Sequence, residues 1–352
     1  MSWIHEIARP DIVALKPYEH AAWEPSLERL HANELPWHPA DDASRAGLNR
    51  YPEPQPRALV EGLAELYSVA PASVLVGRGS DEAIDLLTRA FCRAGHDAVL
   101  VCPPTFGMYS VSARIQGAEV LQAPLLAADG FALDEQVLLE RCTTGVKLVF
   151  LCSPNNPTGN LLDEAAILRC ARRLLGRALL VVDEAYLEFA AGRPSLARKV
   201  AEVPNLAILR TLSKAHGLAG ARCGALIADP EIVTLLRKII PPYAIPQLTL
   251  EAVLERLTPA ARAESRARVE VLLAERERLL RALPRLKGIS RVWPSEANFV
   301  LAEFDDAGAA LERARQARLL VRDARKYPGL GRALRITVGT PEQNGRLLEA
   351  WE

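Results

Sequence analysis

Residues 146–185 read VKLVFLCSPNNPTGNLLDEAAILRCARRLLGRALLVVDEA. Val146 to Leu151 and Ala178 to Val182 are continuous apolar runs, too short for amphipathic helices and suited to strands buried on both faces. Between them DEAAILRCARRLL carries its apolar residues at helical spacing. Strand, helix and strand in that order form the repeating unit of a parallel sheet.

The alternation extends in both directions. Upstream stand VLVG then SDEAIDLLTRAFC, AVLVC then GMYSVSARIQ, and AEVLQAPL; downstream follow LAILRTLS and RCGALIAD. The order predicts an α/β fold, with a large domain over 46–257 built on a mostly parallel sheet flanked by helices. From Pro259 the pattern changes to a long charged helix, GISRVWPSEANFVLAEF, a helix near 307–318, LLVRDAR, ALRITVG and a last helix. Residues 258–352 therefore read as a smaller α+β C-terminal domain. Thr340, Pro341 and Gln343 supply an N-cap, a first-turn proline and a capping-box partner for that last helix. Residues 1–45 are irregular and read as an N-terminal arm packing on the small domain or on a partner subunit.

Composition narrows the function. Forty-three basic and forty-three acidic residues balance to zero in 352 residues, which lacks the electrostatic footprint of a nucleic-acid binder. No run approaches eighteen apolar residues and the N-terminus lacks the pattern of a signal peptide, so no membrane association is expected. The six cysteines form no C-x-x-C pair and lie in or beside apolar runs, which favours buried thiols and a cytoplasmic setting. The six histidines show no metal-binding spacing, and no metal is assigned.

In an open parallel sheet, ligands bind beyond the carboxyl ends of the strands. Those exits hold Gly79, Ser80 and Asp81; Pro103 to Tyr109; Ser153 to Gly159; Asp183 to Tyr186; and Ser213 with Lys214. Asp183 follows five apolar residues, so its carboxylate needs a cation, a donor or a proton. Alternatively, Asp183 caps the next turn and Glu184 is the solvated half of the pair. Lys214 is one of only seven lysines against thirty-six arginines. An amine in a partly desolvated pocket has a lowered pKa and forms a Schiff base with an aldehyde, whereas a surface charge is the plainer alternative. A carboxylate for a ring nitrogen and a lysine for an aldehyde match pyridoxal phosphate.

The remaining exits suit the same cofactor. Gly79, Ser80 and Asp81 open a helix whose free N–H groups attract a phosphate, with Ser213 and Arg222 adding a hydroxyl and a guanidinium. Asp81 is expected to turn its carboxylate away from that dianion. Tyr109 offers a ring to stack on the pyridine or to fill the core. Asn156 and Tyr186 offer hydrogen bonds to a phenolate oxygen, although Asn-Pro-Thr-Gly is also an ordinary turn sequence. A nicotinamide-binding reading of GRGSDE fails on its missing third glycine.

SPNNPTG, VVDEAYLEF, TLSKAHGLAGAR and LRITVGT, in this order, resemble the fold-type I pyridoxal-phosphate aminotransferases over nearly the whole chain. Within that family NRYPEPQP, GRGSDEAIDLLTRAFC, PPTFGMYSVSA and the VRD and LRITVGT pair are most similar to the histidinol-phosphate aminotransferases of histidine biosynthesis. The resemblance makes Lys214 the Schiff-base lysine and proton shuttle, and Asp183 the partner of the pyridinium nitrogen. It makes Tyr109 the stacking ring, puts Asn156 and Tyr186 at the phenolic oxygen, and sets Gly79, Ser80, Asp81, Ser213 and Arg222 around the phosphate. Tyr51 is expected to reach the cofactor phosphate of the other subunit, implying a homodimer with shared sites.

For substrates, the resemblance implies histidinol phosphate and glutamate or 2-oxoglutarate exchanging an amino group by ping-pong kinetics. Arg335 and Arg322 would bind the anionic groups, with Tyr18 adding a hydroxyl and Asn33 positioning substrate. Leu35 departs from the family, standing where a second asparagine is usual. His216, close to Lys214, is expected to make an ordinary polar contact. Within the same fold an aromatic aminotransferase or a threonine-phosphate decarboxylase would keep Lys214 and Asp183; a cofactor-retaining regulator would need an added DNA-binding module.

Overall fold

The computed structural model describes residues 3–24 and 26–352. Its large sheet contains β1 (Val74–Gly77), β2 (Ala98–Val101), β3 (Glu119–Gln122), β4 (Val146–Cys152), β5 (Leu179–Asp183), β6 (Leu206–Thr211) and β7 (Gly224–Ile227). Their spatial order is β1-β7-β6-β5-β4-β2-β3. Strands β3, β2, β4, β5 and β6 run parallel, while β7 is antiparallel to both β6 and β1. The reversal follows from the connection: residues 212–223 hold only a short 3-10 turn, Ala219–Ala221, and lack the helix that a parallel crossover ordinarily requires.

Buried apolar side chains cover both faces of this sheet. On one, Val149, Leu151, Leu180, Val182 and Ile208 meet the helices Arg57–Tyr67 and Glu164–Leu174; on the other, Phe150, Val181, Ala207 and Leu209 meet Ser80–Phe91 and Met108–Gln116. Alternation along each strand divides the two sets, which is why these strands lack an exposed polar face.

A smaller antiparallel sheet holds β8 (Ile289–Val292), β9 (Phe299–Phe304), β10 (Arg322–Asp323) and β11 (Ala333–Thr337), in the order β10-β11-β9-β8. It has its own core, in which Trp351 and Phe304 meet at 5.0 Å between ring centroids. The helix Pro341–Trp351 starts on the expected capping box, with Thr340 and Gln343 bonded reciprocally. Buried Arg276, on the long helix Pro259–Ala282, donates to the carbonyls of Phe189 and Ala297, tying the two sheets together.

The start of the arm differs from expectation. Residues 3–14 form two short helices, and Ile4, Ile7 and Ala8 insert into the core of the large sheet beside Ile84 and Phe91. Apolar residues at helical spacing have a nearer hydrophobic face there than in the small sheet. Further along, Glu34 accepts hydrogen bonds from Arg29, Arg50 and the Tyr51 N–H, fastening the arm to the segment that begins the large unit.

Candidate active site

Strand register assembles the site along one edge of the large sheet. Cys152 of β4 pairs with Asp183 of β5, which pairs with Leu209 of β6; Thr211 pairs with Gly224, which pairs with Gly77. The chain therefore leaves each strand into a common pocket. Ser80, Asp81, Phe106, Cys152, Asn156, Asp183, Tyr186, Ser213, Lys214 and Arg222 all line it.

Asp183 sits at the pocket floor, 3% exposed. Its Oδ1 accepts from the Ala185 N–H at 3.0 Å and its Oδ2 from the Tyr109 hydroxyl at 2.8 Å. Among the described residues no cationic nitrogen forms an ion pair with it. Burial pushes its carboxyl up to about 6, partly opposed by the Tyr109 and Ala185 hydrogen bonds. A buried carboxylate without a cation suits a ligand bringing a protonated ring nitrogen.

Lys214 follows β6 with its Nζ 5.7 Å from the centre of the Tyr186 ring. Partial burial and then the Arg335 charge hold its amine below the ordinary lysine range, against the opposing pull of Asp81 and Asp183. A lysine so placed gives a neutral amine more readily than a solvated surface lysine does.

The anion cradle is built from close backbone approach. Gly79, at φ 84°, precedes the helix Ser80–Phe91 and leaves its first N–H groups without a side-chain cap. A Cβ at Gly79 would meet Arg222 Nη2 at 2.8 Å. Gly224 lets β7 pass the same turn: a Cβ there would stand 2.8 Å from Gly79 C and Ser80 N. Arg222, itself left-handed at φ 53°, aims Nη1 at Ser213 Oγ, 3.3 Å away. Helix terminus, hydroxyl and guanidinium match a phosphate dianion. Asp81 also faces this cradle, its Oδ2 lying 3.3 Å from Arg222 Nη2.

Asn156 Nδ2 donates to the Tyr186 hydroxyl at 3.3 Å, and Arg335 Nη1 reaches Asn156 Oδ1 at 2.5 Å. Arg335 thus enters from the small sheet, its guanidinium 5.2 Å from the Phe299 ring centre. Arg322 is its cross-strand partner on β10, and directly paired residues project from the same face. Together these groups suit pyridoxal phosphate, with the Asp183 carboxylate able to accept from a protonated ring nitrogen, Asn156 and Tyr186 beside one another for a phenolic oxygen, and Lys214 for the carbonyl.

Several expectations require correction. Tyr109 is not the stacking ring: it is wholly buried, stacked on Phe150 at 4.8 Å, because it lies on the inward face of its helix. Phe106, three residues earlier and partly exposed, lines the pocket in its place; its distance ahead of the helix was the signal. Tyr18, 71% exposed, lines another groove with Arg237 and Lys238, where the Lys238 bond to the Val13 carbonyl tethers the arm. Asn33 lies exposed at φ 58° outside the pocket, held by its left-handed turn beside the tethered Glu34. Tyr51, expected at the other subunit's phosphate, is half-exposed, stacked on Tyr243 at 4.5 Å and outside its own chain's pocket, which does not contradict that expectation.

Two further residues depart from their sequence reading. Glu184 is not solvated but 2% exposed, paired with Arg210 at 2.8 Å and holding Ser195 and the Leu196 N–H. His216 is buried with neither ring nitrogen hydrogen-bonded, its Nε2 3.7 Å from Glu188; Arg210 already occupies that carboxylate at 2.6 Å.

Comparison with known proteins agrees with this geometry. Residues 30–350 match the family described as aminotransferase class I and II. The chain is 50% identical over 349 residues to a histidinol-phosphate aminotransferase of Stenotrophomonas maltophilia (strain R551-3), covering 98% of this chain and 95% of that relative. Among solved structures it resembles the histidinol-phosphate aminotransferase of Clostridium acetobutylicum, with TM-score 0.78, 21% identity and coverage of 86% and 90% of the two chains. The Sinorhizobium meliloti histidinol-phosphate aminotransferase, in complex with pyridoxal-5'-phosphate, gives TM-score 0.76 at 25% identity, covering 86% and 82%. With a matched region spanning both sheets and a pocket whose donors fall at the strand exits that such a fold leaves open, this chain belongs to the class I and II aminotransferase family.

Proposed function

We propose that this chain is a pyridoxal-phosphate-dependent aminotransferase interconverting histidinol phosphate and 2-oxoglutarate with imidazole-acetol phosphate and glutamate. The observation that carries the reading is the convergence of Lys214, cation-free Asp183, the Asn156–Tyr186 pair and the Gly79–Arg222 cradle in one pocket that Arg335 enters. The nearly full-length similarity to a histidinol-phosphate aminotransferase supports the substrate.

When bound, pyridoxal phosphate supplies an aldehyde for the amine and an electron-accepting ring. Asp183 supplies the negative charge that keeps a ring nitrogen protonated. Ser213, Arg222 and the Ser80 helix terminus would hold the phosphate, on the same pocket wall from which Lys214 projects. Phe106 covers one side of the pocket and excludes water. Lys214 Nζ, neutral for part of its time, takes the proton from the substrate's Cα and returns a proton in the reverse half-reaction. Arg335 and Arg322 present two guanidinium forks to the substrate's anionic end, and such forks take a phosphate ester or a carboxylate bidentately. One site thereby serves two chemically different substrates in turn.

Steady-state assays on the holoenzyme test the substrate. Histidinol phosphate is expected to exceed phenylalanine in kcat/KM by about 100-fold or more, because a site built for an anion leaves its guanidinium groups unpaired with the aromatic analogue. Comparable values for the two would sink this substrate, and carbon dioxide release from threonine phosphate would point to a decarboxylase.

Our reading further makes residues 46–257 the large domain, 258–352 the small one, and the protein a cytoplasmic homodimer. Tyr51 supports the dimer: its ring is half-exposed and lies outside its own chain's pocket, which leaves it free for a second copy's phosphate site. Mixing Tyr51→Phe and Lys214→Ala protein is expected to restore part of the activity that each lacks alone. Hybrids no more active than the sum of the parents would show that each site is made by one chain.

A further inference from the structure

Tyr109 lies just outside the pocket, yet two of its partners, Asp183 and Phe106, line it. Its ring is stacked on Phe150 of β4 at 4.8 Å with 3° between planes, and Phe106 meets it edge-on at 5.5 Å and 82°. The clamped ring leaves only the hydroxyl hydrogen free to turn, and that hydrogen bonds Asp183 Oδ2 at 2.8 Å. The other oxygen, Oδ1, is held by the Ala185 N–H at 3.0 Å. A carboxylate tied through both oxygens to two different elements cannot rotate about its last bond.

We propose that Tyr109 is a positioning residue for the reaction, its hydroxyl locking Asp183 in the orientation that meets the cofactor's ring nitrogen while its ring braces Phe106. The inference rests on the pyridoxal-phosphate reading and goes beyond it, because Tyr109 itself touches neither cofactor nor substrate.

The physical consequence concerns charge as well as direction. A hydroxyl donating to a carboxylate stabilises its ionised form, and donor bonds to charged groups are the strong ones. The other groups facing Asp183 come from three elements: Asp81 from the Ser80 helix, which opposes its ionisation; Lys214 after β6, which favours it; and the Cys152 thiol on β4, held protonated by burial. All three stay in place when only the Tyr109 hydroxyl is removed. Phenylalanine at this position retains the ring, and both neighbouring rings already lack hydroxyls.

The test uses the purified protein loaded with pyridoxal phosphate. Tyr109→Phe is expected to raise the cofactor's dissociation constant about tenfold or more and to move the acid limb of its binding profile to higher pH. The sign follows because Asp183, having lost a donor to its ionised form, gives up its proton at higher pH. In an Asp183→Asn background the same change is expected to alter affinity less than about twofold, since the two residues act through one bond. Site-specific 3-fluorotyrosine at position 109, a stronger donor of nearly the same shape, is expected to move the acid limb the other way. That substitution also carries the test if Tyr109→Phe does not fold.

Unchanged affinity and acid limb in Tyr109→Phe would overturn the proposal, as would an equal loss in the Asp183→Asn background, which marks a packing role alone. Borohydride fixation of the cofactor on Lys214 of the unaltered protein separates the two claims. If nothing is fixed there, the cofactor reading itself falls; if it is fixed and Tyr109→Phe behaves as the parent, only the role of Tyr109 does.

Discussion

Lys214→Ala protein is expected to lose at least about 10³-fold of its transamination rate, the scale set by a positioned proton-transfer group, and to show no borohydride-fixed cofactor at position 214. The anion cradle and Asp183 remain, so the cofactor can still be held without covalent attachment. What disappears is the one lysine among the described residues that line the pocket, and no neighbour replaces it: Arg222 and Arg335 carry guanidinium groups that stay protonated. Lys214→Arg is therefore expected to fail as completely as the alanine variant, although it keeps the charge. Peptide mapping of the reduced protein locates the adduct, and rapid-mixing assays measure the residual rate. An adduct at another residue, or activity within tenfold of the parent, would remove Lys214 from its proposed role.

The second large effect is on stability. Arg210→Met is expected to destabilise the fold by about 3–5 kcal/mol, the cost of stranding a buried charge by removing its partner. Arg210 is 5% exposed, donates to Glu184 and Glu188 at 2.8 and 2.6 Å, and lies over the Tyr67 ring at 4.8 Å. Methionine fills much of the volume but leaves two carboxylates without their shared cation.

The loss depends on pH in a definite sense. Burial already holds the Glu184 carboxyl above its ordinary range despite Arg210. Without that guanidinium the folded-state pKa rises further above the unfolded one, so the folded variant binds protons more tightly. Its deficit relative to the parent is therefore expected to shrink as pH falls from 8 to 5. Thermal melts at those two values measure this, and adding Glu184→Gln is expected to recover part of the deficit at pH 8. A deficit that does not vary with pH would mean that lost packing, rather than uncompensated charge, is responsible.

These two residues show how unevenly the site could be read in one dimension. Lys214, Asp183, Asn156 and Arg222 each follow an apolar run or a glycine-bearing turn, so their position at a strand exit is local information. Arg210 stands inside an apolar run, where period and composition say only that it is buried; its two glutamates lie 22 and 26 residues back, and no local pattern pairs them. Tyr109 and Phe106 lie on the same short stretch, and assigning the stacking role to one of them required knowing which face of the helix turns inward.

By itself the sequence determined the alternation of strands and helices, the strand exits that carry chemistry, and the capping of the last helix, because each depends on neighbouring residues and on periods of two or 3.6. Tertiary structure alone decided the reversal of β7, the burial of Tyr109 behind Asp183, the packing of residues 3–14 on the large sheet, and the ion cluster around Arg210. Those depend on distances between segments far apart in the chain, and such distances are set when apolar faces and buried charges compete for the same interior space.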